Sequence, residues 1–591
     1  MSRSRDGRGA TSSTNGSLRI GNCSGFYGDR LSAMREMLEG SSEDRQGLDV
    51  LTGDYLAELT MLILGKDQLK DPSLGYARTF VRQLEDCLGL ALERGVKIVA
   101  NAGGLNPAGL AEKVREVAHG LGLDPQVAHV EGDDVRHLSS HHGWDGALTA
   151  NAYLGGFGIA AALTAGADVV VTGRVTDASL VVGPAVAHHG WTPTSYDELA
   201  GAVVAGHVIE CGTQATGGNF SGFLDLPRRD RPLGFPVAEV AADGSSTITK
   251  HAGTGGAVTL DTVTAQLVYE IQSTRYLGPD VTVHLDSVRL EQEGEDRVAI
   301  LGVTGEAPPE RLKVCVNELG GWRNQVELVL TGLDVEAKAA WAREQLAPRL
   351  TAAEVTWSEV TPPPADADSE EAASTLVRCT VKDPSPDPVG RAFTAAAVEL
   401  ALGSYPGFTM TAPPAPATPY GVYRPEYVDR ADVTHTVVHA DGRREVVPDP
   451  TAYTPLVEAP GRRPSPYPAQ PDTLTRRLPL GTFVHARSGD KGGDANIGLW
   501  VAHDGADPAT YDARVQWLFK LTSPRGIPTL LPEAADLDVD VWLLPHLGAV
   551  NVVVHGLLGQ GVAASTRFDP QAKGLGEWLR SRLVSIEEGL V

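Results

Sequence analysis

The stretch GADVVVTGRVTDASL, residues 166–180, decides the fold that we expect. Its segment Asp168–Val171 is short and β-branched and stops at Thr172-Gly173, as a buried strand of a parallel sheet does. The loop that follows carries four polar side chains: Arg174, Thr176, Asp177 and Ser179. A buried strand that ends in such a loop predicts a binding or catalytic site.

A second polar loop lies in GHVIECGTQATGGNFSG, residues 206–222. Glycines at this density let the backbone take positive φ and approach a ligand closely. Two ordinary surface loops are the alternative interpretation, but their proximity in the sequence favours a site. The candidates are Glu210, Cys211, Gln214, Gly217, Gly218 and Asn219.

Upstream, short apolar segments alternate with amphipathic ones, which is typical of βαβ units and a parallel sheet. We predict strands at Leu18–Gly21, Leu48–Thr52, Val96–Ala100, Val127–Val130 and Asp168–Thr172. Ligands bind at the carboxyl ends of such strands, where the loops converge. Turn chemistry alone explains any one polar residue there, but five such loops in succession favour a cleft. The candidates at these ends are Asn22, Ser24, Asp54, Asn101, Gly103, Gly104, Asn106 and Asp133.

Composition and missing motifs exclude several function classes. The 591 residues carry a net charge of −25, which disfavours nucleic acid or an anionic membrane as partner. Neither a P-loop nor a dinucleotide fingerprint follows the first strand, so we predict no cofactor and disfavour a nicotinamide-dependent reductase. Five scattered cysteines and no apolar run of membrane length predict a reduced, soluble, cytoplasmic protein.

Metal binding is weakly supported. His137 and His141 stand four residues apart with Asp133 nearby, a spacing that places two imidazoles on one helix face. No cysteine accompanies them, and we predict no metal.

The pattern of apolar, polar and proline-rich segments along the sequence predicts three folded parts. Residues 1–17 are expected to be a disordered tail, 18–277 an α/β ligand-binding domain, and 278–445 an α+β domain in which 313–317 and 327–331 are separate strands. A proline-rich linker, 446–475, leads to a small last domain, 476–588. This last domain carries a charged loop that either binds an anion or is a salt-bridged hairpin. Its candidates are Arg487, Ser488, Asp490, Lys491 and Asn496.

Several segments resemble the acyclic terpene utilisation (AtuA-like) family, and all occur in that family's order. They are GDYLAELTM, NAGGLNP, TGRVTDASL, GHVIECGTQATGGNF and AGTGGAVTLDTVTAQLVYEI. HARSGDKGGDANIGLW, residues 485–500, is similar to the family's small ferredoxin-like α+β domain. The resemblance implies a cytoplasmic enzyme of branched and isoprenoid acid catabolism that works on acyl-CoA thioesters.

Two functions therefore stay open. The first is an enzyme that hydrates, dehydrates or cleaves C–C bonds in an acyl-CoA, with Asp177 as general base or acid and Arg174 holding the substrate. Backbone N–H groups of Gly103-Gly104 or Gly217-Gly218 would stabilise an oxyanion. A nucleophilic Cys211 beside Glu210 is less favoured, because an adjacent carboxylate raises a thiol pKa. The second is a noncatalytic metabolite-binding or scaffold subunit. In either case we expect a small-molecule partner and a homo-oligomer.

Overall fold

The computed structural model describes residues 16–43, 47–461 and 474–591. The predicted tail up to residue 15 lies outside this range, as do residues 462–473 of the predicted linker. The α-helices, in chain order, are α1 (Ala33–Glu43), α2 (Glu58–Lys70), α3 (Arg78–Arg94), α4 (Pro107–Gly120), α5 (Ser139–His142), α6 (Phe157–Thr164), α7 (Ser179–His189), α8 (Tyr196–Ile209), α9 (Leu260–Leu267), α10 (Val335–Leu346), α11 (Arg391–Val398), α12 (Pro508–Leu521), α13 (Ile527–Leu530) and α14 (Leu575–Ser581).

The strands are β1 (Leu18–Asn22), β2 (Val50–Gly53), β3 (Lys97–Ala100), β4 (Val127–Glu131), β5 (Ala147–Ala152), β6 (Val169–Thr172), β7 (Pro236–Val240), β8 (Ser246–Lys250), β9 (Arg275–Leu277), β10 (Thr282–His284), β11 (Arg289–Gly294), β12 (Arg297–Leu301), β13 (Thr304–Glu306), β14 (Arg311–Thr331), β15 (Glu354–Trp357), β16 (Ser374–Asp383), β17 (Thr409–Met410), β18 (Thr418–Asp429), β19 (Thr436–Val438), β20 (Arg444–Val446), β21 (Thr475–Pro479), β22 (Val484–Lys491), β23 (Asp494–Val501), β24 (Val539–Leu544), β25 (Ala549–Val554) and β26 (Leu583–Glu587).

Five parallel strands form the centre of the first sheet, in the order β1-β2-β3-β6-β4. They are the five strands that the sequence predicts, and the structure confirms them to within two residues at each end. Val170 faces a core built with α6, α7 and α8, whereas Val169 and Val171 face a core built with α1, α3 and α4. Because helices cover both faces, successive residues of these strands are buried, as their continuous apolar character requires.

The sheet is mixed, because antiparallel strands extend it on both sides. Beyond β1 lie β7, β8, β12 and β11, and beyond β4 lie β19 and β20. Four of these edge strands come from the region 278–446, so the sheet crosses the boundary predicted between residues 277 and 278. The strand pairing therefore does not respect the predicted boundary between residues 277 and 278. The other domain limits stay predictions.

The second sheet is organised around β14, a strand of 21 residues. The sequence predicts two separate strands here, but the structure has one continuous strand. A register shift between Leu319 and Gly321 lets the pairing with β18 continue through the residues between the two predicted strands. Gly321 takes φ +137°, which a residue with a side chain rarely adopts. β14 pairs with β16, β17 and β18, and also with β5 from the first third of the chain.

The last part of the chain forms a four-stranded antiparallel sheet, β22-β23-β25-β24, with its own apolar core. The β22–β23 hairpin brings Asp490 and Lys491 to its tip. Residues 447–461 of the predicted linker lie against the folded chain, where the N–H of Thr454 donates to the carbonyl of Pro308 at 2.9 Å. None of the helices in the described part of the chain is both long and apolar enough to span a bilayer.

Candidate active site

A cavity of about 620 Å³ lies where the first sheet, the second sheet and the last domain meet. Loops after β2 and β6 form one wall, β14 and β18 form another, and the tip of the β22–β23 hairpin closes a third. Eleven predicted site residues line it: Asp54, Arg174, Thr176, Asp177, Glu210, Cys211, Gln214, Gly218, Asn219, Asp490 and Lys491.

Arg174 is the buried cation at the floor of the cavity. Its Nη1 donates to Oδ1 of Asp177 at 2.8 Å and to the carbonyl of Leu56 at 3.0 Å. Its guanidinium lies 4.4 Å from the ring centre of Tyr153. Burial raises the pKa of Asp177, and the charge of Arg174 opposes that rise. The ion pair therefore offsets part of the effect of burial on the pKa of Asp177.

Asp54 and Glu210 are buried carboxyl groups whose protonated form the cavity favours. Burial raises both pKa values well above the ordinary range, and the negative charge of Asp177 raises them further. Oδ1 of Asp54 accepts from Nδ2 of Asn101 at 2.6 Å. Oε2 of Glu210 has no hydrogen-bond partner among the described residues and Glu210 lines the cavity. Oε1 of Glu210 lies 3.3 Å from Nδ1 of His207.

Cys211, next to Glu210, is a poor nucleophile in this setting. It lines the cavity, yet burial and the neighbouring Glu210 raise the pKa of its thiol well above the usual value. The thiol form predominates at neutral pH, and thiols attack far more slowly than thiolates.

Glu58, Tyr153 and Lys313 complete the wall opposite Asp177, and sequence reasoning missed all three. Tyr153 donates its hydroxyl to Oε1 of Glu58 at 2.8 Å, and Nζ of Lys313 lies 5.0 Å from the centre of the Tyr153 ring. Burial opposes ionisation of Glu58, but Arg174 and Lys313 hold its pKa at about 2. One signal was available for Lys313, a cation that stands between the apolar residues Leu312 and Val314 of a strand.

The β22–β23 hairpin adds charge from the far end of the chain. Asp490 and Lys491 line the cavity. Burial and the nearby carboxylates Glu270 and Glu58 raise the pKa of Asp490 to about 7. The charged loop predicted from the sequence therefore lies at the cavity. That it binds a ligand stays a prediction.

Arg487 lies behind the cavity wall and is a correction to the predicted binding set. Its guanidinium stacks 4.2 Å from the ring centre of Tyr269, while Nη1 donates to the carbonyl of Asn219 at 3.0 Å and Nη2 donates to Gln214. Asn219 itself has φ +53°, an uncommon conformation that this contact supports. Arg487 thus joins the last domain to the Glu210–Asn219 loop.

Twelve predicted residues do not line the cavity: Asn22, Ser24, Asn101, Gly103, Gly104, Asn106, Asp133, Ser179, Gly217, Arg487, Ser488 and Asn496. Several of them form hydrogen bonds that position the residues lining the cavity. Oδ2 of Asp133 accepts from the N–H of Arg174 and from Asn151, each at 2.8 Å. Ser24 donates to the carbonyl of Asp54 at 3.0 Å. Turn and strand-end polar residues are needed to fix a loop, which is why sequence alone did not separate them from ligand contacts.

The predicted oxyanion donors are also corrected. The N–H of Gly103 donates to the carbonyl of Thr172 at 2.9 Å, and that of Gly104 to Asn101 at 3.3 Å. Gly217 and Gly218 donate to the carbonyls of Gln214 and Thr213. All four N–H groups are occupied by the fold, so none is free for a ligand.

His137 and His141 lie on a short helical turn outside the cavity wall. Among the residues that the structure describes, no group of three or more His, Cys, Asp or Glu side chains is placed to hold a metal ion.

Fold and cavity together define a mixed α/β protein with a deep, charged cavity at the carboxyl ends of its parallel strands. The chain belongs to the family described as acyclic terpene utilisation family protein AtuA, whose model matches residues 18–439. An AtuA ferredoxin-like domain matches residues 478–585. These matches confirm the predicted family and the order of its two parts, and membership implies involvement in acyclic terpene utilisation. The comparison with curated proteins gives no match.

Proposed function

We propose that the protein is a catabolic enzyme that acts on a branched or isoprenoid acyl-CoA thioester. The proposed reaction is of the lyase or hydratase type, either addition or removal of water or cleavage of a C–C bond. Family membership supports the substrate class, and the cavity supports the chemistry. The cytoplasmic location and the homo-oligomeric state stay predictions.

One observation carries the proposal: three carboxyl groups whose pKa values burial raises to different extents, Asp54, Asp177 and Glu210, share a cavity with the buried Arg174. Arg174 pairs with Asp177 at 2.8 Å and opposes the rise that burial causes in the pKa of Asp177, whereas burial and the charge of Asp177 raise the pKa of Glu210 well above its ordinary value. Neighbouring carboxyl groups whose pKa values are pushed apart can serve as base and acid in one reaction. Hydration, dehydration and C–C cleavage next to a thioester all need a proton removed at one atom and delivered at another.

The walls of the cavity suit an acyl chain with a polar end. Leu56, Leu59, Leu62, Leu277 and Leu312 supply apolar surface for a branched chain. The cations Arg275, Arg311, Lys313, Lys491 and Lys573 line the same space and can bind carbonyl or phosphate oxygens. Apolar side chains and charged groups thus share one cavity, as a ligand with an apolar chain and a polar end requires.

In this proposal each group has one role. Asp177 removes a proton from the carbon next to the thioester or from a hydroxyl group. Glu210 delivers a proton to the departing oxygen or carbon. Arg174 orients the carboxylate of Asp177. Its positive charge also stabilises the negative charge that develops in the transition state, and in a buried site this stabilisation is on the order of 3 kcal/mol.

The test is to incubate the purified protein with a panel of branched and straight acyl-CoA thioesters and to follow any mass change. Asp177→Asn keeps the shape of the side chain and removes the base, so turnover should fall at least about 100-fold while the substrate still binds. Asp145→Asn changes an exposed carboxylate and is the matched control. Binding of a thioester without any turnover by the wild type would instead support a noncatalytic metabolite-binding subunit.

A further inference from the structure

Lys313 occupies an unusual place for a lysine. It lies on β14, the central strand of the second sheet, and its side chain lines the cavity. Lys313 and Arg174 both contact the Tyr153 ring, with Nζ of Lys313 at 5.0 Å and the guanidinium carbon of Arg174 at 4.4 Å from the ring centre. The amine thus faces the space where a ligand would lie.

Lys313 is half-buried and has no carboxylate partner in the described part of the chain. Among the described residues, no carboxylate forms an ion pair with its Nζ within 4.0 Å, and its Nζ donates no hydrogen bond. Lys250, by contrast, is buried and pairs with Asp296 at 2.9 Å. Lys313 has no such carboxylate among the described residues, and its Nζ lies instead 5.0 Å from the centre of the Tyr153 ring.

The surroundings of Lys313 lower the pKa of its amine and so increase the neutral fraction at neutral pH. Burial is the main cause, the positive charge of Lys491 adds to it, and together they lower the pKa of Lys313 to about 8 despite the opposing charge of Glu58. Arg174 acts in the same direction as Lys491. A desolvated lysine beside other cations is one of the known arrangements that make an amine nucleophilic at neutral pH.

We propose that Lys313 is a carbonyl-reactive amine that condenses with a ketone group of the substrate to form an iminium. The Nζ lone pair attacks the carbonyl carbon, the carbonyl oxygen takes up protons and leaves as water, and a C=N bond remains. No electrons are gained or lost. Glu210 and Asp54, which line the same cavity and whose pKa values burial raises, are the proton donors in this step.

An iminium at this position would define the reaction more narrowly. It accepts the electron pair of a C–C or C–H bond at the neighbouring carbon, so it serves cleavage next to a ketone and the removal of a proton there. Hydrolysis then returns the free lysine and the product ketone. This inference rests on the proposed function to the extent that the ligand of the cavity carries a carbonyl group.

Borohydride trapping tests the inference without depending on turnover. The full-length protein is incubated with acetoacetyl-CoA or methyl isobutyl ketone and sodium cyanoborohydride, digested, and sequenced by mass spectrometry. Reduction of the iminium should leave the peptide with Lys313 heavier by the probe minus one oxygen atom. Lys113, a surface lysine paired with Glu116 at 2.8 Å, is the internal reference and should stay unlabelled.

Three variants sharpen the result. Lys313→Arg keeps the charge and should fold as the wild type does by circular dichroism, yet give no adduct. Lys313→Met should also give none. Lys491→Met removes a positive neighbour, which raises the pKa of Lys313, so labelling at neutral pH should fall severalfold and recover at alkaline pH.

The outcomes separate the inference from the proposed function. A ketone-dependent adduct on Lys313 supports the inference whether or not the acyl-CoA panel is turned over. Turnover without any adduct, or full turnover by Lys313→Arg, overturns the inference and leaves the proposed enzyme standing. Equal labelling of Lys113 and Lys313 would show ordinary surface reactivity and would also overturn it.

Discussion

Nη1 of Arg174 lies 2.8 Å from Oδ1 of Asp177 and 3.0 Å from the carbonyl oxygen of Leu56. One guanidinium therefore joins the loop after β6 to the chain that leads into α2. It also lies against Tyr153, which follows β5 of the second sheet. Three separate segments of the cavity wall depend on this one cation, so its removal should affect both stability and activity.

Arg174→Met should lower the free energy of unfolding by about 3 kcal/mol, because it leaves the charge of Asp177 without its buried partner. Urea unfolding monitored by circular dichroism measures the change. Arg136→Met is the control, since Arg136 pairs with Asp134 at the surface and such pairs contribute at most about 1 kcal/mol. Equal losses for the two variants would contradict a structural role for the buried pair.

Asp133 should make stability depend on pH. Burial raises its pKa from 3.8 to about 7, so the folded protein keeps a proton that the unfolded chain releases. The stability from this group is complete below pH 3.8 and is lost as the pH rises to about 7. Asp133→Asn keeps a carbonyl oxygen to accept from Arg174 and Asn151 and should flatten that part of the profile.

Thermal unfolding across this pH range checks the prediction. Asp145→Asn, an exposed replacement, should leave the slope unchanged. A wild-type profile without a fall between these pH values, or the same fall in Asp133→Asn, would show that Asp133 does not carry the effect.

The central strands could be predicted because physical chemistry leaves little choice there. Val169–Thr172 is β-branched and apolar, and such a run is stable only as a strand that is covered on both faces. The position of the loops after these strands could also be predicted, because parallel strands bring their carboxyl ends to one edge of the sheet. Arg174, Asp177 and Glu210 therefore line one cavity, as the sequence suggests.

The second wall of the cavity could not be predicted, because it depends on pairing between distant segments. β5 reads ALTANA, which has no strong strand signal, and becomes a strand by pairing with β14 more than 150 residues later. That pairing brings Tyr153 and Lys313 together, since the N–H of Tyr153 donates to the carbonyl of Lys313 at 2.9 Å. Sequence patterns report local periodicity and carry no information on such a partner.

His555 should stabilise the hairpin that carries Lys491 in a pH-dependent way. Its ring lies between Asp494 and Asp540, with nitrogen to oxygen distances of 2.9 and 3.2 Å. The hydrogen bond to Asp494 raises the pKa of His555 from 6.5 to about 9. Its contribution is therefore complete below pH 6.5 and is lost as the pH rises through about 9.

Hydrogen exchange of the hairpin amides, read over that range, measures this effect. Exchange in the wild type should speed up as the pH rises beyond the intrinsic rate increase, whereas His555→Gln should show only the intrinsic increase. His119→Gln changes an exposed histidine and should behave as the wild type. The effect is small because the pair is partly exposed to solvent.

Asn496 and Asn551 should couple strongly, because together they attach the last domain to the cavity wall. Oδ1 of Asn496 accepts from the N–H of Glu270 at 2.7 Å, and Nδ2 of Asn496 donates to Oδ1 of Asn551. Nδ2 of Asn551 approaches the carbonyl of Gln272 at 3.3 Å. Both asparagines are fully buried, while Glu270 and Gln272 line the cavity.

Each single change to alanine leaves a buried polar group unpaired and should cost about 2 kcal/mol in the free energy of unfolding. In the double variant the two losses overlap, so the total should be smaller than their sum by about 1 kcal/mol. A double-mutant cycle by urea unfolding measures this coupling. Strict additivity would contradict the shared network. If Asn496 instead contacts substrate, as the sequence predicted, Asn496→Ala would weaken thioester binding far more than Asn551→Ala does, whereas a common positioning role requires both to weaken it alike.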